Sequence, residues 1–192
     1  MFRKQLKPAV LIFVILTVIT GVIYPLFVTG IAQVFFPKRA NGSLIYRNGR
    51  PVGSSLVGQN FDAPNYFWGR ISATSPFPGN AASSSGSNMG PSNPALLEMV
   101  KARVKALKLA DPGNVSPIPV DLVTSSASGL DPHISLAAAY YQIPRVARLR
   151  RLSAATIKSV VDEHTSGRFL GLLGEPVVKV LELNLALDGY KK

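Results

Sequence analysis

The chain has 192 residues, a formal charge of +11, 47% hydrophobic residues and no cysteine. That apolar content excludes a disordered chain, and the missing cysteine excludes both a disulfide framework and thiolate metal sites. The basic balance favours an acidic partner or anionic lipid headgroups, and with no interleaving of aromatic and basic residues it gives no support to nucleic acid.

From Pro8 to Pro37 there is no charged residue, while Arg3, Lys4 and Lys7 precede this stretch and Lys38 and Arg39 follow it. As a helix rising ~1.5 Å per residue it reaches ~45 Å, more than the ~30 Å hydrocarbon core of a bilayer. The stretch is apolar all round, unlike the striped helix of a soluble domain. Gly30 and Ala32 imitate a cleavage site, but the apolar run is far longer than a signal peptide's. We expect residues 1–8 to be a cytoplasmic tail, 9–36 a transmembrane helix and 37–192 one extracytoplasmic domain in the periplasm, anchored in the inner membrane. Basic residues are nearly balanced across the segment, so the orientation rests on the tendency of a long domain to be translocated while a short basic tail stays inside. Within the helix, Gly21 and Gly30 let neighbouring backbones approach, and Tyr24-Pro25 introduces a kink; these four are the expected helix-packing positions.

Leu44-Ile45-Tyr46 and Val52 to Val57 flank Asn48-Gly49, the pattern of a hairpin. Ser72 to Asn93 is crowded with Ser, Gly, Asn and Pro and reads by composition as a flexible linker, with a compact functional loop as the alternative. Asn93-Pro94 opens a helix whose Leu96, Val100, Val104 and Leu107 share a face and whose Lys101, Lys105 and Lys108 share another; Asp111-Pro112-Gly113 ends it. Pro117 to Val123 is expected to be extended. Asp131 is expected to cap a helix running from His133 to Gln142, Pro144 to open a further basic helix, and Ser153 to cap one with Ile157, Val160, Val161 and His164 on a face. Residues 177–187 suit either a strand, because Leu181, Leu183, Leu185 and Leu187 alternate, or a helix. The fold class is therefore α+β: one N-terminal transmembrane helix and a single mixed helix and sheet domain.

No phosphate loop, nucleophile elbow or zinc-binding helix motif is present. His133 and His164 are the two histidines, and Asp131 beside His133 with abundant serine permits a membrane-anchored exported serine hydrolase as the alternative function. No serine is marked as nucleophile, so no catalytic residue and no metal ligand is assigned. Gln142 and Arg145 form a pair able to meet a phosphate or a base edge; Arg145, Arg148, Arg150 and Arg151 read otherwise as a basic surface patch.

Thr20 to Pro25, Ala40 to Ile45, Gly53 to Gln59, Tyr66-Phe67-Trp68-Gly69-Arg70, Gly86 to Pro94, Asp121 to Ser135, Leu173 to Pro176 and the Leu183 to Asp188 tail together resemble the KdpC family, over the whole chain. The resemblance implies an accessory subunit of a bacterial potassium-transporting ATPase. Its partners would be a channel-like potassium-binding subunit, a P-type ATPase subunit, a small single-helix subunit and membrane lipid. The Asp-Lys-Thr-Gly signature of the hydrolytic subunit is absent, so the chain is expected to be non-catalytic. The family's role as a catalytic chaperone implies ATP as the ligand concerned and Gln142 and Arg145 as its contacts. With the domain outside the cytoplasm those two residues are separated from cytosolic ATP, and the expected effect on ATP affinity is indirect.

Overall fold

A computed structural model describes residues 2–190. It divides into two compact units, Met1–Leu44 and Ile45–Lys192. In the first, α1 (Phe2–Val18) and α2 (Tyr24–Phe35) are joined without a break by a single wider π turn at Ile19–Ile23. Pro25 explains that turn. Its nitrogen has no proton for the carbonyl of Gly21, and its ring crowds that carbonyl; widening the preceding turn lets the Tyr24 N–H reach Ile19 O instead. The Thr17 and Thr20 hydroxyls donate to Phe13 O and Leu16 O, both at 2.7 Å, so neither is left unpaired on an apolar helix. Helix residues Lys4–Phe35 are long and apolar enough to cross a membrane, and none of their side chains is buried. A short α3 (Pro37–Ala40) follows.

After α3, β1 (Leu44–Arg47) and β2 (Arg50–Ser54) pair across Asn48 and Gly49, both at positive φ, as the Asn-Gly signal predicts. Helix α4 (Pro94–Ala110) begins where expected, with the Asn93 side chain accepting from Ala95 N–H. Leu107 of its apolar face is buried, Leu96, Val100 and Val104 are half-buried, and the three lysines are exposed. Strands β3 (His133–Ser135), β4 (Thr165–Ser166) and β5 (Val177–Lys179) form an antiparallel sheet in the order β3-β5-β4, with Ile134 opposite Val178 and Ser135 opposite Val177. Helices α5 (Leu136–Arg150), α6 (Ala154–Glu163) and α7 (Val180–Leu187) complete the mixed α+β domain. Its core gathers Phe67, Leu107, Leu122, Ile134, Ala138, Val146, Ile157, Val161, Val178 and Leu183.

Four expectations are corrected. His133 lies in a strand, and α5 starts at Leu136 with Ser135 as its cap, because the Ser135 hydroxyl accepts from Ala138 N–H. Asp131 caps no helix; it holds His133 N–H at 3.0 Å. Pro144 sits inside α5 rather than opening a new helix, and the carbonyl it deprives belongs to exposed Tyr140, where water can serve it. Pro117 to Val123 includes a 3₁₀ turn at Val120–Leu122. The ambiguous tail is both things in succession, strand β5 and then helix α7.

Composition also misleads at Ser72–Asn93, which is a compact loop. Ser72 Oγ donates to Gly129 O at 2.7 Å and accepts from Gly79 N–H, and Thr74 Oγ1 donates to Phe77 O and accepts from Asn80 N–H. Ser84 Oγ and Ser85 N–H both donate to Ser128 O at 3.0 Å. Gly86 and Gly129 make that apposition sterically feasible: a Cβ on Gly129 would lie 2.5 Å from Ser85 O, and one on Gly86 2.5 Å from Ala127 O.

Candidate functional site: a backbone segment held by helix side chains

The two residues singled out for ligand contact, Gln142 and Arg145, are 1% and 2% exposed. Both lie on the inward face of α5, and both are spent on the segment Pro64 to Trp68. Gln142 Oε1 accepts from Trp68 N–H at 2.8 Å while its Nε2 donates to Trp68 O at 3.1 Å and to Ala138 O. The side-chain amide thus satisfies one residue's backbone as a neighbouring strand would. Asn184 of α7 does the same for Phe67, accepting from its N–H and donating to its carbonyl, each at 2.9 Å. Arg145 donates through Nη1 to Pro64 O and Tyr66 O and through Nη2 to Gln142 Oε1.

The remaining carbonyls are taken by two further arginines. Arg150 Nε donates to Asn65 O at 2.7 Å, and Arg103 of α4 donates through Nη2 to Gly69 O at 2.8 Å and through Nε to Leu122 O. Every carbonyl from Pro64 to Gly69 is therefore satisfied by a side chain, on a stretch outside any sheet that enters the core at Phe67 and Trp68. Trp68 receives the guanidinium groups of Arg145 and Arg103 over its ring at 4.7 and 5.0 Å, and Tyr66 receives that of Arg150 at 4.7 Å.

Burial pushes the Arg145 guanidinium down to about 10; Asp111 opposes that shift while Arg103 and Arg148 add to it. It stays protonated at neutral pH, and among the described residues its charge is met by neutral oxygens and a ring face rather than by an ion pair. Burial likewise lowers Arg103, against the pull of Asp62.

The four basic residues of this region do not form the expected surface patch. Arg145 is buried, Arg148 meets Asp111 at 2.8 Å, Arg150 binds Asn65 O, Leu187 O and Asp188, and Arg151 turns the chain in the left-handed conformation after α5. Arg145 and Arg150 thus reach the Pro64–Tyr66 segment while Arg148 reaches Asp111, because a helix points successive side chains in different directions.

The segment continues into Arg70, whose Nη1 meets Asp131 Oδ2 at 3.2 Å and whose Nη2 donates to Ser125 O. Asp131 also faces His133 Nδ1 at 3.1 Å. Burial alone would raise the Asp131 carboxyl, but hydrogen bonds from His133 and Arg70 outweigh it and hold it below the usual carboxylate range. His164 Nδ1 faces Val160 O. The cavity beside Arg70 and Asp131 measures about 20 Å³, room for about one water. A larger groove of about 590 Å³ is walled by Val104, Lys108, Asn114 and Tyr141, and neither Gln142 nor Arg145 lines it. The helix-packing candidates Gly21, Tyr24, Pro25 and Gly30 all lie exposed on the first unit, and a Cβ on either glycine would meet nothing of this chain.

Asn184 and Arg103 were not marked by the sequence, and Arg150 was marked only as part of a surface patch. The signal for Asn184 was there: one amide among Leu181, Leu183, Leu185 and Leu187 has to be satisfied if the leucines are buried. Nothing comparable marks Arg103 within a lysine-rich helix.

A chain with one helix able to cross a membrane, followed by an α+β domain built around a segment clamped by side chains, defines the class of protein. Its sequence matches the family described as K+-transporting ATPase, c chain, KdpC, over residues 6–189, and the chain belongs to that family. Relatives bearing the name Potassium-transporting ATPase KdpC subunit include one from Dechloromonas aromatica, 63% identical over 99% of this chain and 100% of its own. Another from Ralstonia nicotianae is 63% identical over 97% of this chain and 91% of its own, and one from Herpetosiphon aurantiacus 62% identical over 98% of each.

Proposed function

We propose that the chain is a non-hydrolytic accessory subunit of a potassium-transporting ATPase, anchored in the inner membrane by its one apolar helix and carrying its domain on the periplasmic side. Its partners in this reading are a channel-like potassium-binding subunit, a P-type ATPase subunit and a small single-helix subunit. It raises the ATP affinity of the pump subunit without touching the nucleotide, by binding the pump's conformations unequally; a subunit with equal affinity for each would shift nothing.

The observation that carries this reading is the engagement of Gln142 and Arg145. The polar atoms that would recognise a phosphate or a base edge hold Trp68, Tyr66 and Pro64 in place, and freeing them would open the core. The test is photoaffinity labelling of the assembled pump with an azido-ATP. Label is expected on the ATPase subunit, with none on this chain that saturates. Saturable labelling of this chain that disappears in Gln142→Asn would overturn the indirect mechanism.

The anchor bears on assembly. Gly21 lies within the π turn and Gly30 on the regular helix beyond it, so each is tested as a separate packing position. Replacing Gly21 with Leu meets nothing within this chain. Reduced recovery of the partner subunits from Gly21→Leu membranes is therefore expected to report a contact with another helix, and undiminished recovery would place that glycine against lipid.

A further inference from the structure

The turn that joins β4 to β5 carries the most concentrated exposed apolar surface of the second unit. Phe169, Leu170, Leu172 and Leu173 are 69%, 79%, 82% and 64% exposed. They do not sit on a loose loop. Phe169 and Leu173 exchange both backbone hydrogen bonds, at 2.8 and 3.0 Å, and Leu172 N–H also donates to Phe169 O. Leu170 and Gly171 occupy the two central positions at φ +52° and +75°, the combination that Asn-Gly ordinarily supplies. A leucine in the left-handed region costs ~1 kcal/mol or more relative to glycine, and here its side chain gains no burial within the domain in return.

We infer that this turn is a preformed docking knob that inserts into an uncharged apolar pocket of another protein subunit of the same pump. The inference rests on the accessory-subunit reading above. Two observations select a protein pocket over the bilayer surface. The one charge beside the tip, Arg168, is bound by both oxygens of Glu175 at 3.0 Å, and the tip has no Lys, Trp or Tyr, the residues that hold a loop at a lipid headgroup layer. A bilayer also rewards any exposed apolar side chain whatever the backbone shape, whereas a strained and doubly hydrogen-bonded turn brings a benefit where a shaped cavity fits it and ordering costs are already met.

The experiment uses the full chain co-expressed with the other pump subunits. In Leu170→Asn the turn gains a residue suited to its backbone and loses its apolar tip; in Leu172→Ser only the apolar contact changes. Both should lower recovery of the partner subunits about tenfold or more, the size of an interface hot-spot loss, while thermal unfolding of the chain in detergent, read from Trp68 fluorescence, is not lowered. A photoreactive benzoylphenylalanine placed at position 172 should cross-link to another pump subunit in intact membranes. Full recovery from both folded variants would overturn the inference, and so would adducts formed only with lipid or only with a second copy of this chain. If the unaltered chain brings down no pump subunit at all, the accessory-subunit reading fails and takes this one with it.

Discussion

Arg145 is a cation that the fold uses as a set of donors rather than as a charge. Its guanidinium serves Pro64 O, Tyr66 O and Gln142 Oε1 and stacks on Trp68, and its charge is tolerated because those acceptors are already fixed. Arg145→Met keeps much of the volume but takes the donor from the half-buried Tyr66 O and leaves Gln142 Oε1 with the Trp68 N–H alone, so a loss of about 1–3 kcal/mol is expected. Gln142→Leu strands both backbone groups of Trp68 and should cost about as much. Denaturant unfolding of the full chain in detergent measures both, with Trp68 as the one tryptophan. Lys101→Ala, which removes only an exposed pair with Glu98, should change nothing measurable. Asp188 makes a different prediction. Burial would raise its carboxyl, but hydrogen bonds from Arg150, Tyr66 and Arg47 prevail and set it lower in the folded chain than in the unfolded one. Its stabilisation is therefore complete above the unfolded carboxylate pKa of ~4 and is lost as pH falls through the folded value. The unfolding midpoint should drop on acidification below about pH 4, and Asp188→Asn should flatten that acid limb while lowering stability at neutral pH. At this scale the sequence marked Gln142 and Arg145 as unusual, yet a list of donor atoms does not say whether a ligand or the chain's own backbone receives them.

Elements built on one local signal were legible. Asn93-Pro94, Ser153 and Asn48-Gly49 each carry their own geometry, and α4, α6 and the β1–β2 turn begin where those residues place them. Elements decided by tertiary contact were not. Asp131 has the chemistry of a helix cap, but β3 is claimed by pairing with β5, and the cap passes to Ser135. The serine and glycine run at Ser72–Asn93 looks flexible because small residues carry no packing signal in sequence. In three dimensions the same smallness lets two backbones touch. Gly129→Ala therefore combines a Cβ at φ +69° with contacts of 2.5 Å to Ser85 O and 2.7 Å to Thr74 Cγ2, and should destabilise the chain by about 2 kcal/mol or more. Gly90→Ala, where a Cβ meets nothing, should be tolerated. Equal stability of the two variants, compared in one thermal unfolding series, would contradict the tight apposition of these loops.

For the whole molecule, the span and the α+β class followed from an uncharged run and from alternating patterns, because hydrophobic length and periodicity are properties of the chain itself. The side of the membrane on which the domain lies is a property of the chain within its surroundings, and balanced basic residues at the two ends leave the sequence without a decisive charge signal. Yet the indirect mechanism depends on it, since a domain in the cytoplasm would share a compartment with ATP. The absence of cysteine makes the question answerable with single substitutions. Val115 is 97% exposed, beyond the end of α4, so Val115→Cys places one thiol at a site that should not disturb the core. A membrane-impermeant maleimide that has reached the periplasm should label this thiol in intact spheroplasts as fully as in lysed ones. Labelling that appears only after lysis would put the domain in the cytoplasm, remove the barrier between Gln142 and ATP, and leave their burial in the core as the sole argument against direct contact.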